Sequence, residues 1–187
     1  EVIKYGVTLD KKLFAYLEKH LDNPSAKVYA HLVINSAKLK LSVARKDPHE
    51  QEYRKILSYG HTVGHALETA SQHMLSHGQA VALGMVAEAY IANKSHVLSK
   101  RAMERQNRLL KRLSLPKASG DLNYTELIEL MHRDKKSKGG KLYFVQPKHI
   151  GKVRQKRRQV AFAVDEAVVL EALKFLASFS SGGQQAQ

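Results

Sequence analysis

Cysteine does not occur anywhere in the 187 residues. Its absence excludes a disulfide scaffold and any thiolate metal site, and it suits a reducing compartment, with the cytoplasm as the expected location. No apolar run approaches the roughly 20 residues that a membrane span needs, so no membrane association is expected. The opening stretch, EVIKYGVTLD, has the pattern of neither a signal peptide nor a transit peptide. No G-x-G-x-x-G follows a strand-like run and no G-x-x-x-x-G-K-[ST] occurs, so a dinucleotide or a nucleoside triphosphate has no recognisable seat here. Acidic residues are scarce as well: 17 Asp and Glu face 31 Lys and Arg, a formal charge of +14. Such an excess draws anions, either phosphorylated metabolites or nucleic acid. Much of it is concentrated in DKKSKGGK (134–141) and KHIGKVRQKRR (148–158). Charge alone does not choose between those partners, because scattered lysines most often form a solvated surface.

At 43% apolar the chain can build a core, and its rhythm is mostly helical. LDKKLFAYLEKHL (9–21) starts at an aspartate cap. NPSAKVYAHLVINSAKLKLSVARK (23–46) takes Asn23 and Pro24 as its start signal, and Asp47–Pro48 as its stop. HTVGHALETASQHM (61–74) follows, then HGQAVALGMVAEAYIANKSHVLS (77–99), which is apolar nearly all round and therefore predicts a central buried helix. Weaker helices are predicted over 102–113 and 124–133. GGKLYFVQP (139–147) reads as a strand ended by proline, and 152–164 as the source of a second strand. The helix predicted over 165–179 closes the fold, and SSGGQQAQ (180–187) is a flexible tail. No repeat or linker divides the chain, so one mainly α, bundle-like domain with a small β-hairpin excursion is expected over 1–179.

GHTVGHALE (60–68) carries the chemistry. His61, His65 and Glu68 are spaced i, i+4 and i+7, on one helical face. His61 and His65 alone could share a metal ion. The zincin pattern H-E-x-x-H is absent, since Thr62 stands where its glutamate belongs. His77, at the start of the buried helix, is a third candidate, because the positive end of a helix disfavours imidazolium and so favours a ligating imidazole. Gly60, Gly64 and Gly78 leave room for close approach. The histidines at 20, 31, 73, 96, 132 and 149 are read as ordinary core or surface residues.

YRKILSYGHTVGHALE followed by HGQAVALGM resembles the signature of the 3-dehydroquinate synthases and the wider sugar-phosphate cyclase family. The likeness is collinear: EVIKYG at the start, KLK in the long helix, and RDKKSKGGKLYFVQPKHIGK late in the chain each resemble a family segment. The resemblance implies that Glu1, His61 and His77 hold a divalent metal, zinc or cobalt. It implies that His65 is no ligand but faces substrate and handles protons. It further implies that Lys4, Lys40, Arg54, Ser58, His65, Lys135 and Lys136 bind a phosphorylated sugar acid, with Lys4, Arg54 and His65 counted as catalytic. The family's reaction converts a seven-carbon keto-acid sugar phosphate to 3-dehydroquinate in the shikimate pathway. NAD⁺ transiently oxidises an alcohol, phosphate leaves, the ketone is reduced again, and the opened ring closes by an aldol step.

The likeness covers only the C-terminal, metal-binding half of the family pattern. An N-terminal NAD-binding domain is therefore the expected missing partner, and without it the chain is expected to be inactive. Homodimerisation, frequent in the family, is a further expectation. Three departures stand out: Ser58 where the family has asparagine, Gln79 for the glutamate of its H-G-E, and Glu52–Tyr53 before the arginine. Ser58 and Gln79 keep open another cyclase, a 2-deoxy-scyllo-inosose or aminodehydroquinate synthase. A non-catalytic anion- or RNA-binding remnant using 134–158 is the competing reading from a different class, although nucleic acid is not the expected partner. It predicts indifference to His61→Ala.

Overall fold

The structure, a computed structural model, describes residues 1–116, 123–133 and 140–179. Along the chain these form α1 (Val2–Thr8), α2 (Lys11–His20), α3 (Ala26–Lys46), a 3-10 turn (Tyr53–Ser58), α4 (His61–Ala70), α5 (His77–Lys94), α6 (Lys100–Lys111), α7 (Tyr124–Arg133), β1 (Leu142–Val145), β2 (Pro147–His149), β3 (Lys152–Val153), β4 (Ala161–Val164) and α8 (Glu166–Ser178). The mainly α class expected from the sequence is what is observed. The expected 180–187 tail lies outside the described residues.

Helix α5 runs through the centre, buried from Ala80 to Ala89 and again at Ile91 and Ala92. Its small residues let neighbours come close. Helix α4 packs on one side through Val63, Gly64, Ala66 and Leu67, and α8 on another through Val169, Ala172, Leu173 and Leu176. Helix α6 also lies against α5, and α7 spans α4 and α8. The close approach of α4 and α5 is a backbone contact: a Cβ on Gly84 would overlap the carbonyl oxygen of Gly60. Gly60 has φ +81°, in the left-handed region where glycine carries no steric cost.

Local signals set most helix starts. The Asp10 carboxylate accepts the Lys12 and Leu13 amides at 2.7 and 3.3 Å. Ser76 and Gln79 form a capping box at the head of α5. Elsewhere the structure corrects the sequence reading. Helix α3 is capped by Ser25, whose side chain accepts the Val28 amide, so Asn23–Pro24 precede the true start. Helix α4 ends at Ala70 rather than 74, because Gln72 and His73 adopt φ of +50° and +63°. Likewise α5 stops at Lys94, short of the predicted 99, with His96 at φ +56°. Pro147 begins β2 rather than ending a strand. The 152–164 stretch holds two short strands: β1 pairs antiparallel with β4, and β2 with β3, so one hairpin nests inside the other. Helix α1 and the 3-10 turn have no counterpart in the predicted elements.

Candidate metal centre

Glu1 stands at the head of α1, and its carboxylate is held by the same helix. Lys4 Nζ lies 2.9 Å from both carboxylate oxygens, and the Tyr5 hydroxyl donates to Oε2 at 2.9 Å. Lys4 is itself only 2% exposed. Burial pushes the Glu1 carboxyl upward, but the Lys4 ammonium, by hydrogen bond and charge, and the Tyr5 hydroxyl bring it down to about 2. The carboxylate is therefore ionised and fixed. Burial, and then the hydrogen bond to Glu1, push the Tyr5 phenol upward in turn.

His61 is the first residue of α4 and His77 the first of α5. Helices α4 and α5 run antiparallel through their glycine contact, with Gly60 against Gly84 and Gly64 against Ala80, and the imidazoles of His61 and His77 reach toward each other across it with centroids 5.4 Å apart. Each ring has an acceptor at Nδ1: the Tyr59 carbonyl at 3.2 Å from His61, and the Glu68 carboxylate at 3.2 Å from His77. An acceptor at Nδ1 favours the Nδ1–H tautomer and turns the Nε2 lone pair toward a ligand, as in a carboxylate–histidine–metal relay. One donor atom each from Glu1, His61 and His77 lie within 4.8 Å of one another. His61 Nε2 and Glu1 Oε1 are 3.6 Å apart, close to the roughly 3.4 Å between neighbouring ligands of a tetrahedral zinc ion. One carboxylate and two neutral imidazoles, with coordination positions to spare, is the donor chemistry of a catalytic zinc site, and these residues fit it.

The other expected site residues are less tightly gathered. The His65 ring stands 5.4 Å from that of His61 and 6.0 Å from that of His77, beside the three donors but outside their set. It lines a cleft of roughly 270 Å³ with Thr62, Ala66, Thr69, Leu130 and Arg133. Arg54 lies on the 3-10 turn that leads into α4, and its guanidinium bends back to the Pro48 carbonyl at 3.4 Å and to Glu50 at 3.9 Å. Its amide is held by Asp47, whose carboxylate also takes the Gln51 and Glu52 amides. Ser58 is half-buried on the same turn, and Lys40 is exposed on α3, away from any ion pair among the described residues. Lys135 and Lys136 lie outside the described residues. Of the departures, Glu52 pairs with Lys55 at 2.8 Å, and Tyr53 lies under the Lys46 ammonium. Gln79 closes the Ser76 cap, while the carboxylate at His77 comes from Glu68.

Sequence reasoning missed two acidic roles. Glu68 was seen as one of three polar groups on a helix face, but not as the partner of His77. Glu88, fully buried on α5, receives the Gly60 and Thr62 amides at 2.8 and 3.2 Å.

Comparison with known proteins gives a consistent picture. The family model described as 3-dehydroquinate synthase C-terminal matches residues 1–137. The 3-dehydroquinate synthase of Desulforamulus reducens is 40% identical over 158 residues, which cover 82% of this chain and 44% of that protein. The enzyme of Nostoc punctiforme is 41% identical over 160 residues, with the same coverage of 82% and 44%. The chain thus spans less than half the length of the curated relatives it matches. Among solved structures, a 2-deoxy-scyllo-inosose synthase complexed with carbaglucose-6-phosphate, NAD⁺ and Co²⁺ superimposes with a TM-score of 0.76 at 24% identity, over 93% of this chain and 49% of that one. A 2-epi-5-epi-valiolone synthase from Streptomyces hygroscopicus with NAD⁺ and Zn²⁺ bound gives 0.79 at 20%, over 95% and 49%. At these identities the structural likeness establishes the shared fold.

Proposed function

The chain belongs to the 3-dehydroquinate synthase family, and on that premise we propose that it is the metal-holding C-terminal half of a cytoplasmic 3-dehydroquinate synthase. The observation that carries this reading is the convergence of Glu1, His61 and His77, with both imidazoles oriented through Nδ1. Residues 1–179 form the domain in this reading, 180–187 its tail, and a dinucleotide-binding half is its functional partner. The curated relatives at 40–41% identity favour this activity over 2-deoxy-scyllo-inosose synthesis, whose solved representative is 24% identical.

Each residue then has a task. Glu1, His61 and His77 hold a zinc or cobalt ion. A divalent cation held there supplies Lewis acidity at the substrate's alcohol and ketone oxygens. NAD⁺, seated on the partner half, supplies the hydride chemistry. Lys4 keeps Glu1 ionised and aimed at the other two donors. His65 faces the bound sugar acid from α4, where a neutral imidazole can take or return a proton. Arg54, once turned from Pro48, offers a planar fork for phosphate or carboxylate, with Lys40, Ser58, Lys135 and Lys136 completing the anion's surroundings.

The test has two stages. Metal content of the purified chain, measured by elemental mass spectrometry, should be near one zinc per chain, and should be lost in both His61→Ala and His77→Ala. Supplying the N-terminal half of a relative with NAD⁺ should then restore phosphate release from the seven-carbon substrate. Stoichiometric metal without phosphate release from that substrate, but with turnover of a hexose phosphate, would refute 3-dehydroquinate synthesis in favour of another cyclase.

A further inference from the structure

The Tyr59–Gly60–His61 turn is held from behind by a single buried carboxylate. Glu88 lies in the middle of α5, 0% exposed. Its Oε2 accepts the Gly60 amide at 2.8 Å, and its Oε1 accepts the Thr62 amide at 3.2 Å, with the Val63 amide at 3.5 Å. These belong to the set of amides at a helix head that have no intrahelical acceptor. Ordinarily the side chain of the capping residue itself satisfies them. Here that residue is Gly60, whose left-handed φ and contact with α5 leave no place for a side chain. The cap comes instead from a residue 28 positions later in sequence.

A buried carboxylate is an expensive cap, because an ion withdrawn from water needs full compensation. The site explains its use. His61 occupies the first position of α4, so the positive end of that helix dipole lies beside the place proposed for a dication. Without local negative charge that arrangement opposes the cation. Glu68 sits at His77, and Glu88 lies directly behind His61.

We propose that Glu88 is a positioning residue of the metal centre, fixing the backbone from which His61 reaches the ion and offsetting the positive head of α4. The inference rests on the metal reading of Glu1, His61 and His77. These hydrogen bonds of Glu88 go to the backbone on either side of His61, so its effect passes through that residue.

Two measurements test it. Zinc affinity by chelator competition should weaken roughly 10- to 100-fold in Glu88→Gln, which keeps the shape but removes the charge and one acceptor. The cobalt-substituted protein should show an altered ligand-field spectrum at metal saturation, a change that loss of stability alone would not produce. The second measurement needs no variant. Coupling is reciprocal, so zinc bound to the unsubstituted chain should slow hydrogen exchange at the Gly60, Thr62 and Val63 amides more than at α8. Zinc affinity and cobalt spectrum unchanged in Glu88→Gln, or exchange at those three amides indifferent to zinc, would overturn the inference while leaving the metal site standing. Failure of the unsubstituted chain to bind zinc or cobalt would overturn the metal reading and this inference together.

Discussion

Gly84→Ala places the smallest possible side chain where two helices touch. A Cβ there would overlap the Gly60 carbonyl oxygen and stand 2.8 Å from the Gly64 nitrogen. Both obstacles are backbone, so neither can rotate away, and α4 must move off α5 by a distance the rest of the interface also feels. Overpacking of this kind costs about 1–3 kcal/mol, and rigid obstacles put it near 3. Alanine in a helix interior gains about 1 kcal/mol over glycine, so the net loss is about 2 kcal/mol. For a chain of this size that corresponds to a fall in Tm of roughly 4–8 °C. Gly78→Ala, in the same helix, is the matched control: a Cβ there meets nothing within 4 Å, and the propensity gain stands alone. Thermal unfolding followed by circular dichroism, with chelator present, should move the two variants in opposite directions. If Gly84→Ala melted at or above the parent temperature, as Gly78→Ala is expected to, the close helix contact that brings His61 to His77 would be refuted.

Two further outcomes follow from individual groups. The Asp47 carboxylate is held at about 2, against an ordinary 3.8, first by the Arg54 amide and then by that of Gln51, burial opposing them and the Glu52 amide assisting. A depressed folded-state value adds stability that is complete above the unfolded value and disappears as pH falls from about 4 through 2. Urea midpoints of the parent should therefore fall across that window more steeply than those of Asp47→Asn, and parallel curves would refute the assignment. Glu68→Gln replaces the carboxylate at His77 Nδ1, and zinc affinity by competition should weaken about 10-fold with helix content unchanged. Unaltered affinity would remove Glu68 from the centre.

What could be read in the sequence depended on how far each feature reaches along the chain. The unbroken apolar character of α5 needs no partner to be recognised, and the Asp10 cap of α2 lies within three residues of the amides it satisfies. Helix α1 was illegible for the opposite reason. It is seven residues long and has no side-chain cap, while the Gly151 amide, on the distant hairpin, donates to its Val7 carbonyl. The left-handed residues that shorten α4, Gln72 and His73, are not types that announce a helix end. The metal centre shows the same limit. Spacing suggested that His61 and His65 share an ion and offered His77 as a third candidate, but no relation along the chain pointed to Glu1. The donors brought together are Glu1, His61 and His77, from the heads of three helices, and only the family resemblance joined them before the fold did. Glu88 had a local signal that went unread. A carboxylate in the middle of a helix apolar on every face cannot reach water, so it must meet donors inside the protein. The amides most in need of an acceptor are those at a helix head whose cap has no side chain, and Gly60, at the start of GHTVGH, is such a cap. The pairing of Glu88 with that turn could have been argued from those two facts alone.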